Sequence, residues 1–247
     1  MRSVLLAFVT VVFAGISVGE DAKPKNALEE NVLLLFTKWR AGERGPFSFP
    51  LPSLDVISMP STNGDYEGYG VRIKYSTSNL FVIGLKRFSV EQIDISGSKL
   101  TASGVFIVPS ISVISDKYSV NGRALWFIPI KGSGTMNITI KNIQLNISIT
   151  LINNSSRMWV DSSNLSFKIS SVNANLENAP NTITVLLNKS GATILKSYHN
   201  DIVKAVQNVM VPAMDSFLDG NRIVTPDQLF RLLEEEKTPP PTVVLVE

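Results

Sequence analysis

The chain lacks cysteine altogether and has a single histidine among its 247 residues. Without cysteine no disulfide can hold the fold, so its stability must come from a hydrophobic core. One histidine and no cysteine cannot form a zinc site of the usual Cys and His composition. Charge is nearly balanced, with 23 Lys and Arg against 21 Asp and Glu. A disulfide scaffold, a zinc protein and a nucleic-acid-binding protein are therefore disfavoured.

Catalytic motifs are scarce as well. The only histidine, His199, falls within a predicted helix, and no Gly-x-Ser-x-Gly elbow is present. Ser133, between two glycines, falls in a predicted β turn rather than before a helix. We therefore expect a protein that is not an enzyme and that uses no cofactor or metal. A Ser-His-Asp hydrolase stays open on composition alone and is the least favoured alternative.

Long hydrophobic runs are missing except near the N-terminus. There, an apolar run from Val4 to Phe13 is followed by the small residues Ser17 and Gly19, a pattern typical of a signal peptide. The alternative, a transmembrane anchor, needs about 20 apolar residues, and this run has fewer. We therefore predict that residues 1–19 are a signal peptide, that the protein is secreted and extracellular, and that it is not stably inserted in a membrane.

Three regions with different periods follow within one predicted domain, residues 20–236. A helix is expected over about Asn26–Arg40, because its apolar residues recur at three- and four-residue steps. Alternating apolar residues over 65–174 predict an antiparallel meander of eight or nine strands. The third region is predicted to be helical from just after the break at 178–181 to about Phe217, with one long helix over Ala192–Phe217. Residues 237–247, KTPPPTVVLVE, form a Pro-rich tail that we expect to be flexible.

The strand region carries most of the potential glycosylation sites. Asn146 alternates with the apolar residues Leu145 and Ile147, and Asn164 lies in a similar pattern, so both are predicted to face solvent. The apolar phase changes near Asn142, which predicts a bulge there. The chain's Asn-x-Ser/Thr sites, all candidates for glycosylation, are Asn137, Asn146, Asn153, Asn154, Asn164 and Asn188.

The long C-terminal helix is apolar around most of its circumference. Leu195, Val206 and Phe217 belong to its main stripe, which Met210 and Met214 widen. Such a helix is expected to be wrapped by other elements rather than laid on a surface. A short last helix is predicted to follow, with a threonine as its N-cap in the sequence TPDQLF.

The order of these elements resembles the insect juvenile-hormone-binding and Takeout family. The resemblance is carried by YSTSNLFVIGL (75–85), ISVISDKYSVNGRALWFIPI (111–130), the GSG turn with the NIT strand after it (132–139), and TPDQLF (225–230). It implies an α+β fold, a super-roll in which a strongly curved antiparallel sheet wraps a long C-terminal helix, with an N-terminal helix beside it. It also implies a carrier of a small hydrophobic ligand, such as a juvenile-hormone-like terpenoid, a fatty acyl chain or a quinone-like lipid, in an apolar tunnel.

One departure from the family pattern concerns the N-terminal arm. Members of the family usually hold this arm with a cysteine pair, which the chain lacks. We therefore expect the N-terminal helix, over one mouth of the tunnel, to be more mobile here.

The candidate ligand-binding residues are apolar side chains on phases that face the predicted lumen, where each could equally be plain core. They are Phe36, Trp39, Val71, Ile73, Phe81, Phe106, Trp126, Ile128, Val206, Met210, Ala213 and Phe217. The alternative function is a secreted recognition or structural glycoprotein without a transport role, including one with a mite-allergen-like lipid-binding fold. We expect a monomer, and any receptor or other secreted partner is unidentified by the sequence.

Overall fold

The computed structural model describes residues 21–42, 54–68, 70–124, 127–154 and 156–234. Within them the chain forms four helices and eight strands. The helices are α1 (Ala27–Ala41), α2 (Asn181–Ser197), α3 (His199–Gly220) and α4 (Pro226–Glu234). The strands are β1 (Val56–Met59), β2 (Thr62–Gly68), β3 (Val71–Ile83), β4 (Ser89–Ser96), β5 (Thr101–Ala124), β6 (Ile128–Asn153), β7 (Met158–Lys168) and β8 (Ser171–Leu176). Trp126, the predicted tail and the predicted signal peptide lie outside the described residues.

Two long strands form the spine of a single antiparallel sheet. β5 has 24 residues and β6 has 26, and they pair along nearly their whole length. β3 and β4 pair with β5, β7 and β8 pair with β6, and β1 and β2 pair with β3. The predicted α+β fold, a large curved antiparallel sheet with C-terminal helices, is confirmed.

In the two spine strands, the alternate positions whose side chains face the interior change halfway along. Ile140 and Leu145 are both buried although five positions separate them, so the alternation must shift between them. Asn142 adopts φ of 48° at this point, opposite Pro109 of β5 in the pairing register. Asparagine tolerates this left-handed conformation better than most residues. The phase therefore changes near Asn142, but the predicted bulge is wrong. Val108 pairs with Ile143 and Ser110 with Lys141, so the register does not shift and no extra residue is inserted.

This phase change divides the sheet into two halves. The cavity half consists of β4, β7 and spine residues 101–108 and 143–153, and the tyrosine half consists of β1, β2, β3, β8 and spine residues 110–124 and 128–141. α3 packs on β7 in the cavity half, and α2 packs on β8 in the tyrosine half. α2 approaches β8 closely at Gly191, where an added Cβ would lie 2.7 Å from a Val172 side-chain carbon.

The predicted uninterrupted helix over Ala192–Phe217 is wrong. The helical region begins at Asn181 and is broken at Tyr198, whose φ and ψ are −96° and 10°. The break coincides with the passage from the tyrosine half to the cavity half, because α2 and α3 pack on different strands. Tyr198 is also held in place, since its hydroxyl lies 2.7 Å from that of Tyr66.

The short helices at both ends match their predictions. α1 begins after Asn26, whose side chain accepts a hydrogen bond from the Glu29 amide, and ends at Gly42 in a left-handed conformation. α4 begins after Thr225, which exchanges hydrogen bonds with Gln228 in a reciprocal capping box. None of the helices within the described residues is long and apolar enough to cross a membrane.

Candidate ligand cavity

An apolar cavity of about 220 Å3 lies in the cavity half of the sheet. α1 and α3 contribute helical walls, and β4 and the two spine strands contribute the sheet wall. The side chains and backbone that line it belong to Val32, Phe36, Trp39, Phe88, Ile93, Ile95, Ala102, Ser103, Gly104, Phe106, Leu145, Ile147, Ile149, Met210 and Met214.

Sequence periodicity explains how the apolar walls form. On β6, Leu145, Ile147 and Ile149 are two residues apart, so they share one face of the strand. On α3, Met210 and Met214 lie one turn apart and share one face of the helix. On α1, Val32, Phe36 and Trp39 recur at steps of four and three. Each element thus presents one apolar stripe to the same space.

Aromatic rings form one end of the cavity. The centroid of the Phe36 ring lies 5.6 Å from those of Phe88 and Phe106, both in edge-to-face geometry. Trp39 meets Phe88 edge-on at 6.4 Å. Such edge-to-face contacts are favourable and directional, so this wall is fixed. The methionines of α3, which have more rotatable bonds, form an adaptable wall.

The cavity offers very little polarity to a ligand. None of the lining residues carries an ionisable group. Ser103 is exposed and alternates along β5 with Ala102 and Gly104, so its hydroxyl faces away from the cavity. A charged ligand group inside would lose its hydration without a compensating partner. This loss costs on the order of several kcal/mol. The cavity is therefore suited to neutral, largely apolar molecules.

Polar contacts tie the N-terminal end of α1 to β4. The Glu29 carboxylate is 1% exposed, and it accepts hydrogen bonds from the backbone N–H groups of Lys25 (2.7 Å) and Ile95 (3.2 Å). The side-chain amide of Asn26 donates to the Ile95 carbonyl oxygen at 3.3 Å. Lys25 also pairs with Asp94 at 3.1 Å.

A second set of contacts holds the C-terminal end of α1. Arg40 forms an ion pair with Asp21 and donates to the Phe88 carbonyl oxygen at 3.1 Å. Asp21 in turn accepts from the Val90 N–H at 2.9 Å. The arm is therefore attached to β4 at both ends of α1 without a disulfide. These contacts argue against the mobility that the missing cysteines led us to expect.

Four of the predicted ligand-binding residues line the cavity, namely Phe36, Trp39, Phe106 and Met210. Three others on α3 lie outside the lining. Val206 is completely buried in the core with Leu145, Leu165 and Phe167, Phe217 packs against a core cluster of Met158, Leu218 and Ile223, and Ala213 is half-buried.

The predicted residues of the tyrosine half are not part of this cavity. Val71 and Ile73 are half-buried on β3, a strand that contributes no lining residue. Phe81 alternates with the buried Leu80 and Val82, so it lies on the opposite face of the sheet from that core. The phase expected for it is wrong because φ of 50° at Asn79 shifts the alternation.

Ile128 is also misplaced in the prediction. It has the apolar phase of β6 but lies at the end of the strand, where it is 37% exposed. A correct phase therefore does not place a residue in the lumen when the strand extends past the covering helices. Trp126 remains a prediction, because it lies outside the described residues.

Sequence reasoning missed the wall formed by β4. Phe88, Ile93 and Ile95 line the cavity, and the alternation of the two isoleucines was a usable signal. Their position depends on the pairing of β4 with β5, a long-range contact that periodicity does not reveal. Met214, by contrast, belongs to the widened apolar stripe predicted for the long helix, one turn from Met210, and it lines the cavity.

The potential glycosylation sites lie on exposed or half-exposed positions. Asn137, Asn153, Asn154, Asn164 and Asn188 are exposed. Asn146 is half-buried, and its amide nitrogen donates to Ser166 at 3.2 Å. Its neighbours Leu145 and Leu165 are buried, as their phase predicted. Which of these asparagines carry glycans remains a prediction.

The tyrosine half has a hydrogen-bonded interior. The Tyr118 hydroxyl donates to the Glu177 carbonyl oxygen at 2.6 Å. Burial raises the pKa of the Tyr118 phenol, and the nearby Glu177 carboxylate adds to the effect. Burial likewise raises the pKa of Tyr75, with a further contribution from Asp65. Both phenols therefore stay protonated and able to donate well above neutral pH.

A bent antiparallel sheet that closes with helices over an apolar cavity is the architecture of a carrier of hydrophobic ligands. The sequence pattern described as haemolymph juvenile hormone binding protein (JHBP) matches residues 21–222. The chain belongs to this family of ligand-binding carriers. No curated protein sequence matches it.

A solved structure shows the same fold. The chain is similar to the crystal structure of Epiphyas postvittana Takeout 1, with a TM-score of 0.57 and 15% identity over 83% of this chain and 97% of that chain. A crystal structure of lipopolysaccharide binding protein gives a TM-score of 0.41 and 17% identity over 78% of this chain and 39% of that chain.

Proposed function

We propose that the protein is a secreted carrier of a small, neutral hydrophobic molecule bound in the cavity beneath α1. The observation that carries this proposal is a cavity whose lining is almost wholly apolar and includes no charged side chain. A terpenoid, a fatty acyl ester or alcohol, or a quinone-like lipid fits this chemistry. Juvenile-hormone-like terpenoids belong to the same class.

The size of the cavity supports a ligand larger than a single ring. Its volume of about 220 Å3 exceeds the roughly 150 Å3 of an engineered apolar cavity that stays dry and binds benzene. Met210 and Met214 can change rotamer to enlarge it along α3. Burying about 350 Å2 of ligand surface would contribute on the order of 9 kcal/mol before immobilisation costs. Because these costs remain to be subtracted, an affinity of about micromolar is the tightest expected from burial alone.

Extraction identifies whether the purified protein carries such a molecule. The protein is extracted with organic solvent and the extract is analysed by mass spectrometry, beside an extract of a folded Met210→Lys variant. We expect one neutral lipid in near-stoichiometric amount from the wild type and none from the variant. Equal lipid in both extracts would place the lipid elsewhere.

A matched pair of probes tests the preference for neutral ligands. Dodecanol and dodecanoate have the same chain, but dodecanoate is ionised at pH 8. Because the lining has no cationic partner for a carboxylate, we expect dodecanoate to bind at least about tenfold more weakly. Equal affinity would show that the carboxylate finds a partner or stays in solvent, and would exclude the proposed ligand class.

Secretion and glycosylation complete the proposal. The apolar N-terminal run and the exposed Asn-x-Ser/Thr sites support both. The secreted protein is expected to begin at Glu20 when its N-terminus is sequenced. Treatment with an N-glycosidase should reduce its mass, and an unchanged mass would refute the glycoprotein assignment.

A further inference from the structure

The tip of the hairpin between β5 and β6 exposes apolar side chains. β5 ends at Ala124 and β6 begins at Ile128. Phe127, in the connecting turn, is 76% exposed, and the adjacent Ile128 is 37% exposed. Among the described large hydrophobic residues, Phe127 has the highest exposed fraction. Single exposed apolar residues are ordinary on protein surfaces. Two adjacent exposed residues at the hairpin tip, Phe127 and Ile128, form a small apolar patch that no other described residue covers.

Basic side chains surround this tip on neighbouring strands. Arg123 and Lys131 lie four residues before and four residues after Phe127, and both are exposed. Arg72 of β3 pairs directly with Arg123 in the register. Lys74 of β3 faces Asn121 in the next row, which pairs with Lys131. We call Arg72, Lys74, Arg123 and Lys131 the basic collar.

The collar is only partly neutralised. Glu67 forms an exposed ion pair with Arg72 at 3.0 Å, and Asp65 pairs with Lys74 in the strand register. Among the described residues, Arg123 and Lys131 take part in no ion pair. Like charges directly opposite each other on paired strands are destabilising. The pairing of Arg72 with Arg123 therefore costs stability, and an external anionic partner would relieve this cost.

We propose that this hairpin tip docks the protein onto the surface of an anionic lipid membrane. Phe127 and Ile128 enter the boundary between headgroups and acyl chains, where an apolar side chain gains from burial. The basic collar lies just behind the tip, at the depth of the negatively charged headgroups, and is attracted to them. The contact is peripheral and reversible, since the described part of the tip offers two apolar side chains to the lipid, far fewer than a membrane-spanning segment. This inference does not depend on what occupies the cavity.

An anionic lipid surface matches the apolar tip and the basic collar together better than a second copy of the chain or a protein partner does. A second copy of the chain would bring another basic collar against the first, and the like charges would repel. A protein partner would need an acidic rim around an apolar pocket, whereas an anionic membrane presents both chemistries everywhere. Self-association and protein binding are therefore outcomes that the experiment must distinguish.

Vesicle sedimentation tests the proposal with the purified protein. Binding is measured to phosphatidylcholine vesicles with and without phosphatidylserine, at low and high salt. We expect binding to the anionic vesicles that weakens as salt rises. Phe127→Ser should reduce it by about tenfold or more. The double change Arg123→Glu and Lys131→Glu should reduce it by at least about tenfold as well.

Matched controls lie on α2, which packs on β8. Leu186 is 46% exposed, so Leu186→Ser removes a comparable apolar side chain from the surface. Lys189→Glu with Lys196→Glu makes the same change in net charge at exposed positions. Both controls should bind anionic vesicles as the wild type does. Dodecanol binding by Phe127→Ser should also be unchanged, which separates this proposal from the function of the cavity.

Three results would overturn the proposal. One is the absence of binding to anionic vesicles at low salt. Another is binding that the α2 controls reduce as strongly as the hairpin variants do, which would show a general charge or stickiness effect. The third is self-association, measured by analytical ultracentrifugation, that Phe127→Ser abolishes, which would make the tip a contact between copies of the chain.

Discussion

The two halves of the sheet share the same spine strands, but the side chains in their interiors differ. In the tyrosine half, hydroxyl groups meet partners directly, as with Tyr118 and the Glu177 carbonyl oxygen, or Tyr66 and Tyr198. In the cavity half, isoleucine, phenylalanine and methionine side chains face one another and leave about 220 Å3 open. Satisfied polar contacts fix side chains in place, whereas apolar walls make no directional demand. The open space therefore lies where apolar side chains face one another without polar groups between them.

The polar groups of the cavity half are displaced to its edge. Glu29, Asp21 and Arg40 all bond to β4 backbone groups or to one another. They attach α1 over the cavity without entering its lining. In the tyrosine half, by contrast, the hydrogen-bonded Tyr118 lies in an interior whose other buried residues include the aliphatic Leu80, Val82 and Ile140.

The largest effect should come from a charge placed in the cavity half. Met210 is almost completely buried in the lining, so Met210→Lys introduces an unpaired ammonium group and should weaken dodecanol binding at least about 100-fold. Thermal unfolding must be recorded alongside, because the same charge lowers stability. Lys204→Glu, on the exposed side of α3, should leave binding intact. A folded Met210→Lys protein that binds normally would remove the cavity from the account.

A larger side chain in the cavity should remove the open space that distinguishes the cavity half from the tyrosine half. Ala102 lines the cavity from β5, and Ala102→Phe places a ring in the open space. We expect dodecanol affinity to fall about tenfold or more while the free energy of unfolding stays within about 1 kcal/mol of wild type. Ala27→Phe, at an exposed position of α1, is the matched control. A large loss of stability in Ala102→Phe would mean that the space is not available.

Removing a hydroxyl from the tyrosine half should affect stability alone. Tyr118→Phe leaves the Glu177 carbonyl oxygen without its hydrogen-bond donor, and should lower the free energy of unfolding by about 1 kcal/mol. Dodecanol affinity should not change, because no residue of β3 or β8 lines the cavity. Denaturant unfolding and ligand titration on the same sample check both points. A parallel loss of affinity would show that the halves are coupled.

The smallest effect concerns pH. Hydrogen bonds from the backbone N–H and the hydroxyl of Thr135 lower the pKa of the Glu177 carboxyl below its ordinary value. A lowered folded-state pKa means that this contribution to stability is present above about pH 4.5 and is lost as pH falls through the folded-state pKa. Glu177→Gln should therefore lose stability relative to wild type at neutral pH but not at the acid end of this window. An equal difference at both pH values would contradict this assignment.

Local features of the fold could be predicted because short-range physics decides them. The caps at Asn26 and Thr225 follow from side chains that bond the first turn of a helix. The phase change at Asn142 follows from two apolar alternations that do not agree. Phe36 and Trp39 reach the cavity because the helical period places them on one face.

Other features depend on contacts between distant parts of the chain. The β4 wall of the cavity requires the pairing of β4 with β5, and no pattern within β4 specifies its partner. The break at Tyr198 occurs without glycine or proline, because the two halves of the sheet direct α2 and α3 onto different strands. Ile128 shows the same limit, since its phase is correct but the extent of the covering helices decides its exposure.

The central claim, that the cavity beneath α1 holds the ligand, is tested most directly by methyl NMR. The protein is labelled at its methionine methyl groups and titrated with dodecanol. We predict intermolecular contacts from dodecanol to Met210 and Met214, which line the cavity, and none to Met158, which is buried in a separate core cluster. Contacts to Met158 without contacts to Met210 and Met214 would contradict the account.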